Sequence, residues 1–236
     1  MPGTTGCVPT LSDHDPKHEI LPMKEQRIRI TFSKTEAMRF TGHLDLRKTW
    51  ERTFRRSGLP LAYSQGYTPH PQLNMASPLP LGFTSTAEIG DFWLSETTPL
   101  AEIRENLSEA APPGLELHDF KEIPDLHGDK LPVLTTASTY VLTVYQGGDD
   151  LHGRVEALNA REQIIRKRRG KEYDLTELLH NLEVLSPDQE GHPRLKMTLS
   201  TLPGATGRPD EVADQLGLPE HRVHITRTKI HLQESN

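Results

Sequence analysis

Residues 26–64, QRIRITFSKTEAMRFTGHLDLRKTWERTFRRSGLPLAYS, decide the fold, because the hydrophobic period changes within them. Over Gln26–Phe32, Ile28, Ile30 and Phe32 alternate with Arg27, Arg29 and Thr31, the pattern of a half-buried strand with its charges outward. From His43 to Ser57 the spacing becomes i, i+4, i+8 at Leu46, Trp50 and Phe54, which predicts an amphipathic helix. Asp45 falls in the first turn, where a carboxylate complements the helix dipole, and Gly58 and Pro60 stop the helix. Leu61–Ser64 then reads as the start of a second strand.

Outward from this stretch, a Pro-rich segment to Gly82 breaks regular structure. Strand (Ala87–Ser95), helix (Pro99–Ala111, with Leu100, Ile103 and Leu107 on one face) and strand (Leu115–Ile123) follow. The order is βαββαβ, the ferredoxin-like split motif. After a Pro-containing linker at 124–136 the plan repeats. Ser138–Tyr145 is a strand and Leu151–Ala160 a short helix. Gln163–Arg168 and Tyr173–Leu185 form a hairpin around Gly170. Arg194–Thr201 is a strand, Pro209–Leu216 a helix and His221–Leu232 a final strand. Residues 173–185, YDLTELLHNLEVL, also fit helical spacing, so strand and helix both stand there. The expected fold is α+β, with tandem ferredoxin-like domains at 26–123 and 137–236.

An apolar content of 34% and a mean hydropathy of -0.59 are low for a folded domain and predict a disordered segment. Residues 1–25, aperiodic and rich in Pro, Gly, Thr and Asp, are the expected tail. They hold no apolar core of a signal peptide, and no apolar run of membrane-spanning length occurs anywhere. The expectation is a soluble, cytoplasmic protein without a membrane partner. The single cysteine, Cys7, cannot form an internal disulfide, an iron–sulfur site or a Cys-rich zinc site, so no cofactor of its own is expected.

The net charge of -6 hides strong segregation. Residues 24–72 hold ten Lys/Arg against four Asp/Glu, residues 73–130 three against eleven, and Arg161–Lys171 six against one. Two basic patches on an acidic body point to a localised anionic partner such as RNA. A solvated basic helix and hairpin account for the same charges equally well.

Three groups of residues carry candidate chemistry. His43 and Asp45, two apart in a strand-to-helix turn, could share a proton or a metal with a third group, for which His70 is the nearest candidate; a helix-start carboxylate beside a turn histidine is the plainer account. Arg47, Lys48, Arg52, Arg55 and Arg56 form a basic helix suited to phosphate, with Glu51 placed to pair with Arg47 or Arg55. Ser64-Gln65-Gly66-Tyr67-Thr68-Pro69-His70-Pro71 is a stiff loop dense in hydrogen-bonding groups, and Gly66 permits close backbone approach. Arg39, Arg166, Arg168, Arg169 and Lys171 complete the expected binding residues. Asp125-Leu126-His127-Gly128 and Asp150-Leu151-His152-Gly153 superficially match cobalamin-binding signatures, but their Gly follows His directly, so they read as turns.

The segments RFTGHLDL (39–46), RRSGLPLAYSQGY (55–67), PHP (69–71) and SPLPLG (77–82) closely resemble the radical SAM-associated (radical SAM-linked) family, a domain of unknown function. RKRRGKEYD (166–174) and RPDEV (208–212) extend the resemblance more weakly. Members are fused to cobalamin-binding-type radical SAM proteins or encoded beside them. The resemblance implies a separately encoded radical SAM enzyme as partner, and the lone cysteine fits a chain that carries no cluster. The leading expectation is a non-catalytic partner and substrate-binding module that presents an RNA. The alternative is a metal-independent endoribonuclease-like enzyme using His43, by analogy of architecture with CRISPR RNA-processing nucleases. A protein-docking scaffold is the third.

Overall fold

The computed structural model describes residues 23–168 and 170–233. The expected tail at 1–25 lies almost wholly outside them. Its last residue is tied to the sheet: the Glu25 amide donates to the Leu94 carbonyl at 2.9 Å.

The first half contains β1 (Gln26–Lys34), α1 (His43–Ser57), β2 (Leu73–Met75), β3 (Thr84–Leu94), α2 (Leu100–Ala110) and β4 (Leu115–Ile123). A helical turn, α3 (Leu131–Leu134), leads into the second half. That half comprises β5 (Thr135–Val144), α4 (Leu151–Asn159), the hairpin β6 (Ile165–Arg168) and β7 (Lys171–Asp174), β8 (Leu179–Leu185), β9 (Arg194–Leu202), β10 (Ala205–Thr206), α5 (Pro209–Gln215) and β11 (Val223–Leu232). All strands except the β6–β7 hairpin join one mixed sheet, in the order β10-β9-β5-β11-β3-β1-β4, with β2 on β3 and β8 on β9. The halves meet where β11 runs parallel to β3 at Thr226–Arg227 against Thr84–Ser85.

The expected periods build the core. Ile28, Ile30 and Phe32 are fully buried under α1 and α2. Trp50 packs edge-on against Phe32, with centroids 5.0 Å apart, and Phe54 links Trp50 to Phe92. Burial of each such large side chain stabilises by about 1.5–3 kcal/mol. Gly58 ends α1 in the left-handed region at φ 69°, which a side chain would strain. Leu195, Met197 and Leu199 of β9 form the corresponding centre of the second half with α4 and α5.

Three expectations are corrected and one open alternative is resolved. Leu61–Ser64 is not a strand: only the bridges Leu61–Leu94 and Tyr63–Pro71 form, and the pairing strand is β2. Pro60, Pro69 and Pro71 lack the N–H a continuous ladder needs. Residues 124–136 are not a loose linker. Arg27 donates to the carbonyls of Asp125 and Asp129, Trp93 Nε1 to that of Leu126, and Leu131 and Leu134 are buried. This segment covers the reverse face of the sheet, so Arg27 is not solvated as expected but buried, with its guanidinium 2.6 Å from Asp91. Of the strand and helix that both stood for 173–185, strand forms, in two pieces. Tyr173 and Asp174 end β7, and β8 pairs with β9. The helical spacing reflects a 3₁₀ turn at Thr176–Leu178 between them. Among the described residues no helix is long and apolar enough to cross a membrane.

Candidate functional site: a cationic groove along an edge strand

β2 pairs with β3 on one side only, and a groove follows its other side. One wall is α1 with the 64–72 loop, and the other is the 126–132 segment. The wider end is a cleft of about 400 Å³ lined by Lys24, Arg47, Ser64, Gln65, His70, Trp93, His127 and Lys130 among others. Among the described residues no carboxylate lines it. The narrower end, about 320 Å³, is a slot between His43, Leu73, Met75, Pro78 and Pro132. Arg47, Leu73 and Asn74 line both, so the two are continuous.

Local structure explains how the loop reaches the cleft. Its neck is closed by Ser64 and His70: the Ser64 amide donates to the His70 carbonyl at 2.8 Å, and the His70 amide to Ser64 Oγ at 3.1 Å. Gln72 Nε2 donates to the Tyr63 carbonyl below. Gly66 turns the tip at φ 142°. The opposite wall is set by an Asx turn, in which the His127 amide donates to Asp125 Oδ1 at 2.9 Å. A Cβ on Gly128 would lie 2.4 Å from that carboxylate, so the Asp-Leu-His-Gly sequence is a turn, as expected, but one that delivers His127 to the cleft.

The charges are concentrated and only partly offset. Lys24 Nζ stacks over Trp93, 4.3 Å from the ring centroid. Burial, together with the neighbouring cations Arg27 and Lys130, lowers its pKa from the ordinary lysine value. Glu51, behind the cleft wall, lies 3.6 Å from Arg47 and 3.7 Å from His70 and neutralises part of this field. Both are partly exposed pairs, worth little by themselves.

His43 opens α1 but does not pair with Asp45, which is exposed and faces Lys48 at 3.6 Å. His43 Nδ1 is buried without a hydrogen-bond partner. Burial foremost, then Arg47, lowers the imidazole pKa, and Glu88 only partly opposes this. The neutral ring is therefore favoured at pH 7, and no described residue bonds Nδ1 to fix its tautomer. His70, the expected third ligand, sits instead against Glu51, because the loop neck holds it there. Among the described residues no group of three His, Cys, Asp or Glu is placed to hold a metal.

Of the residues expected to bind, His43, Arg47, Ser64, Gln65 and His70 line the groove. The others lie elsewhere. Lys48, Arg52 and Arg55 are exposed on α1, and Arg56 caps α2 by donating to the Ala110 carbonyl. Tyr67 is fully exposed at the loop tip. Arg39 bonds the Gly82 carbonyl at 2.8 Å. Arg166 pairs with Asp214, and Arg168 with Glu211 and Tyr173, on the far half. Lys171 lines a separate cleft beside Arg168. Arg169 lies outside the described residues. Lys24, Trp93, His127 and Lys130 were not foreseen; their signal, three cationic or titratable side chains flanking an aromatic, is split between the tail, a strand and the apparent linker.

Fold and groove together define a mixed α/β protein whose short edge strand carries a cationic groove. The chain belongs to the family described as "Uncharacterized protein conserved in bacteria (DUF2344)", whose profile matches residues 27–209. No curated protein matches it. Similar solved structures include a Cbf5-Nop10-Gar1 complex, with 9% identity and a TM-score of 0.47 over 88% of this chain and 50% of that one. An H/ACA ribonucleoprotein bound to a substrate RNA containing 2'-deoxyuridine has 10% identity and a TM-score of 0.34 over 69% and 40%. The acetolactate synthase small subunit from Thermotoga maritima has 12% identity and a TM-score of 0.26 over 90% and 99%. The chain thus spans half or less of the first two.

Proposed function

We propose that this protein is a non-catalytic substrate-binding module that holds a phosphate-bearing ligand, RNA foremost, in the groove along β2. The observation that carries the reading is the carboxylate-free cleft formed by Lys24, Arg47 and Lys130 with His70 and His127. Three cations with no described acidic residue lining the space between them repel one another; the Lys24 pKa is lowered by burial first and then by Arg27 and Lys130, and a bound anion relieves that repulsion. Arg adds a planar donor fork matched to phosphate oxygens. The partner in this reading is a separately encoded radical SAM enzyme, which rests on the resemblance of residues 39–82. Each half is read as a ferredoxin-like unit, at 26–123 and 137–236. The orders β4-β1-β3-β2 and β11-β5-β9-β8, each a central first strand between third and fourth, support this.

The enzyme alternative asks more of His43 than its surroundings supply. A general base is normally oriented by an acceptor on its second ring nitrogen, and Asp45 does not serve. The docking alternative has an observation of its own: Phe40, Leu44 and Leu81 are each at least 60% exposed. The reciprocal bonds between Arg39 and Gly82 bring their segments together. That patch is where the enzyme would sit.

The test is fluorescence anisotropy of a short single-stranded RNA with the full chain, from low to physiological salt. Binding that weakens steeply with salt supports the reading. No retention at low salt, or equal retention by Arg47→Glu/Lys130→Glu, refutes the groove as an RNA site. Cleavage of that RNA, lost in His43→Ala, would restore the enzyme.

A further inference from the structure

We infer that the groove is built for one nucleotide unit, with its phosphate at the Lys24–Arg47–Lys130 end and its planar heterocycle in the slot between His43 and Pro132. This rests on the reading of the cleft as an anion site and specifies what else the ligand must carry.

The lining changes chemistry along the groove. The wide end is cationic. The narrow end is mostly apolar, with Leu73, Met75, Pro78 and Pro132 around one imidazole, and Arg47 and Asn74 where it joins the wide end. Asn74, which lines both, lies between them, and Ser64 and Gln65 stand on the wall of the wide end; all three are neutral groups that can donate and accept. A ligand complementary to this sequence is anionic at one end, rich in hydroxyls in the middle, and flat and apolar-faced with polar edges at the other. Phosphate, sugar and base supply those properties in that order.

Size and rigidity agree. Each compartment is at the lower end of the ~300–1,000 Å³ range of small-molecule sites, so the groove holds one such unit and not a folded chain. Pro71 and Pro132, whose ring torsions are fixed, stand on the two walls and lower the entropic cost of holding a ligand. Met75 is the adaptable side chain against which a ring can settle. His43 is the specific element. Its Nδ1 has no hydrogen-bond partner among the described residues, so the ring can turn to offer a base edge a donor or an acceptor. An alkyl chain would fill the same slot without using that ring.

Calorimetric titration of the full chain with adenosine, guanosine, cytidine and uridine 5'-monophosphates, ribose 5-phosphate and octyl phosphate tests this. At least one nucleotide is expected to bind ten-fold or more tightly than ribose 5-phosphate. Met75→Trp, which fills the slot, should remove that advantage while leaving ribose 5-phosphate binding intact. His43→Phe should reduce it without obstructing the space, so the inference remains testable if the larger substitution fails to fold. Nucleotides held no better than ribose 5-phosphate would overturn the inference and leave the anion site standing. Octyl phosphate held as tightly as the best nucleotide would replace the heterocycle with an alkyl chain. Absence of binding by every phosphate would overturn both the inference and the anion site.

Discussion

Replacing Glu88 by Gln tests whether the sheet depends on a buried charge pair where its halves meet. Arg227 of β11 donates Nε to Glu88 Oε1 at 2.8 Å and Nη2 to Oε2 at 2.5 Å. The side chains are 0% and 2% exposed. Nη2 also reaches the Ser77 carbonyl, while Nη1 meets no hydrogen-bond criterion with any described residue. Glu88→Gln keeps the shape but removes the counter-charge, and its amide NH₂ opposes one of the guanidinium donors. A buried cation left uncompensated typically costs about 3–5 kcal/mol. At about 2–4 °C per kcal/mol for a chain of this length, the midpoint falls by roughly 6–20 °C. Urea titration followed by far-UV circular dichroism measures the free energy, and calorimetry the midpoint. The double variant Glu88→Leu/Arg227→Met should recover most of the loss, because an apolar pair of similar volume often equals a buried ion pair. A loss under about 1 kcal/mol for the single variant, or a double variant no better than the single, would refute the reasoning.

Gly114→Ala should destabilise by about 1–3 kcal/mol in the same urea assay, since its φ of 90° disfavours a side chain and its Cβ would sit 2.8 Å from Met38 Cγ. Burial lowers the pKa values of His43, His224 and His231 below the ordinary imidazole value near 6.5. The unfolded chain therefore takes up these protons first, and stability present above about pH 6.5 declines as the pH falls through their folded values. Urea midpoints at pH 7.5 and 5.5 should differ accordingly, and by less in His224→Gln. Arg47→Gln and Lys130→Gln should each reduce the slope of log affinity for single-stranded RNA against log salt by about 0.7, whereas Arg166→Gln, on the other half, should leave it unchanged.

How much of this was legible depended on how far each element's partners lay along the chain. β1 and α1 could be read because one buried face imposes a regular period on local sequence. β2 could not, since three residues between prolines carry no period and only pairing with β3 defines them. Arg27 and Arg29 looked solvent-facing because alternation marks which residues share a face, not whether a distant segment covers it. The groove divided the same way. Arg47, Ser64, Gln65 and His70 stood together in sequence and were named. Lys24, His127 and Lys130 converge on them only because the 125–134 segment folds back over Arg27 and Trp93.

The joining of β11 to β3 has a consequence for biosynthesis. Arg227 is separated from Glu88 by 139 positions, and Lys34, whose pKa burial lowers and Glu88 partly restores, lies earlier still. At roughly 5–20 residues per second, the ribosome takes about 7–28 s to add the counter-charge after Glu88 has been made. During that interval the emerging first half holds a carboxylate meant for burial beside an unclosed strand margin at Thr84–Ser85. The nascent half must keep that margin hydrated, and the completed sheet forms only when its last strand leaves the exit tunnel.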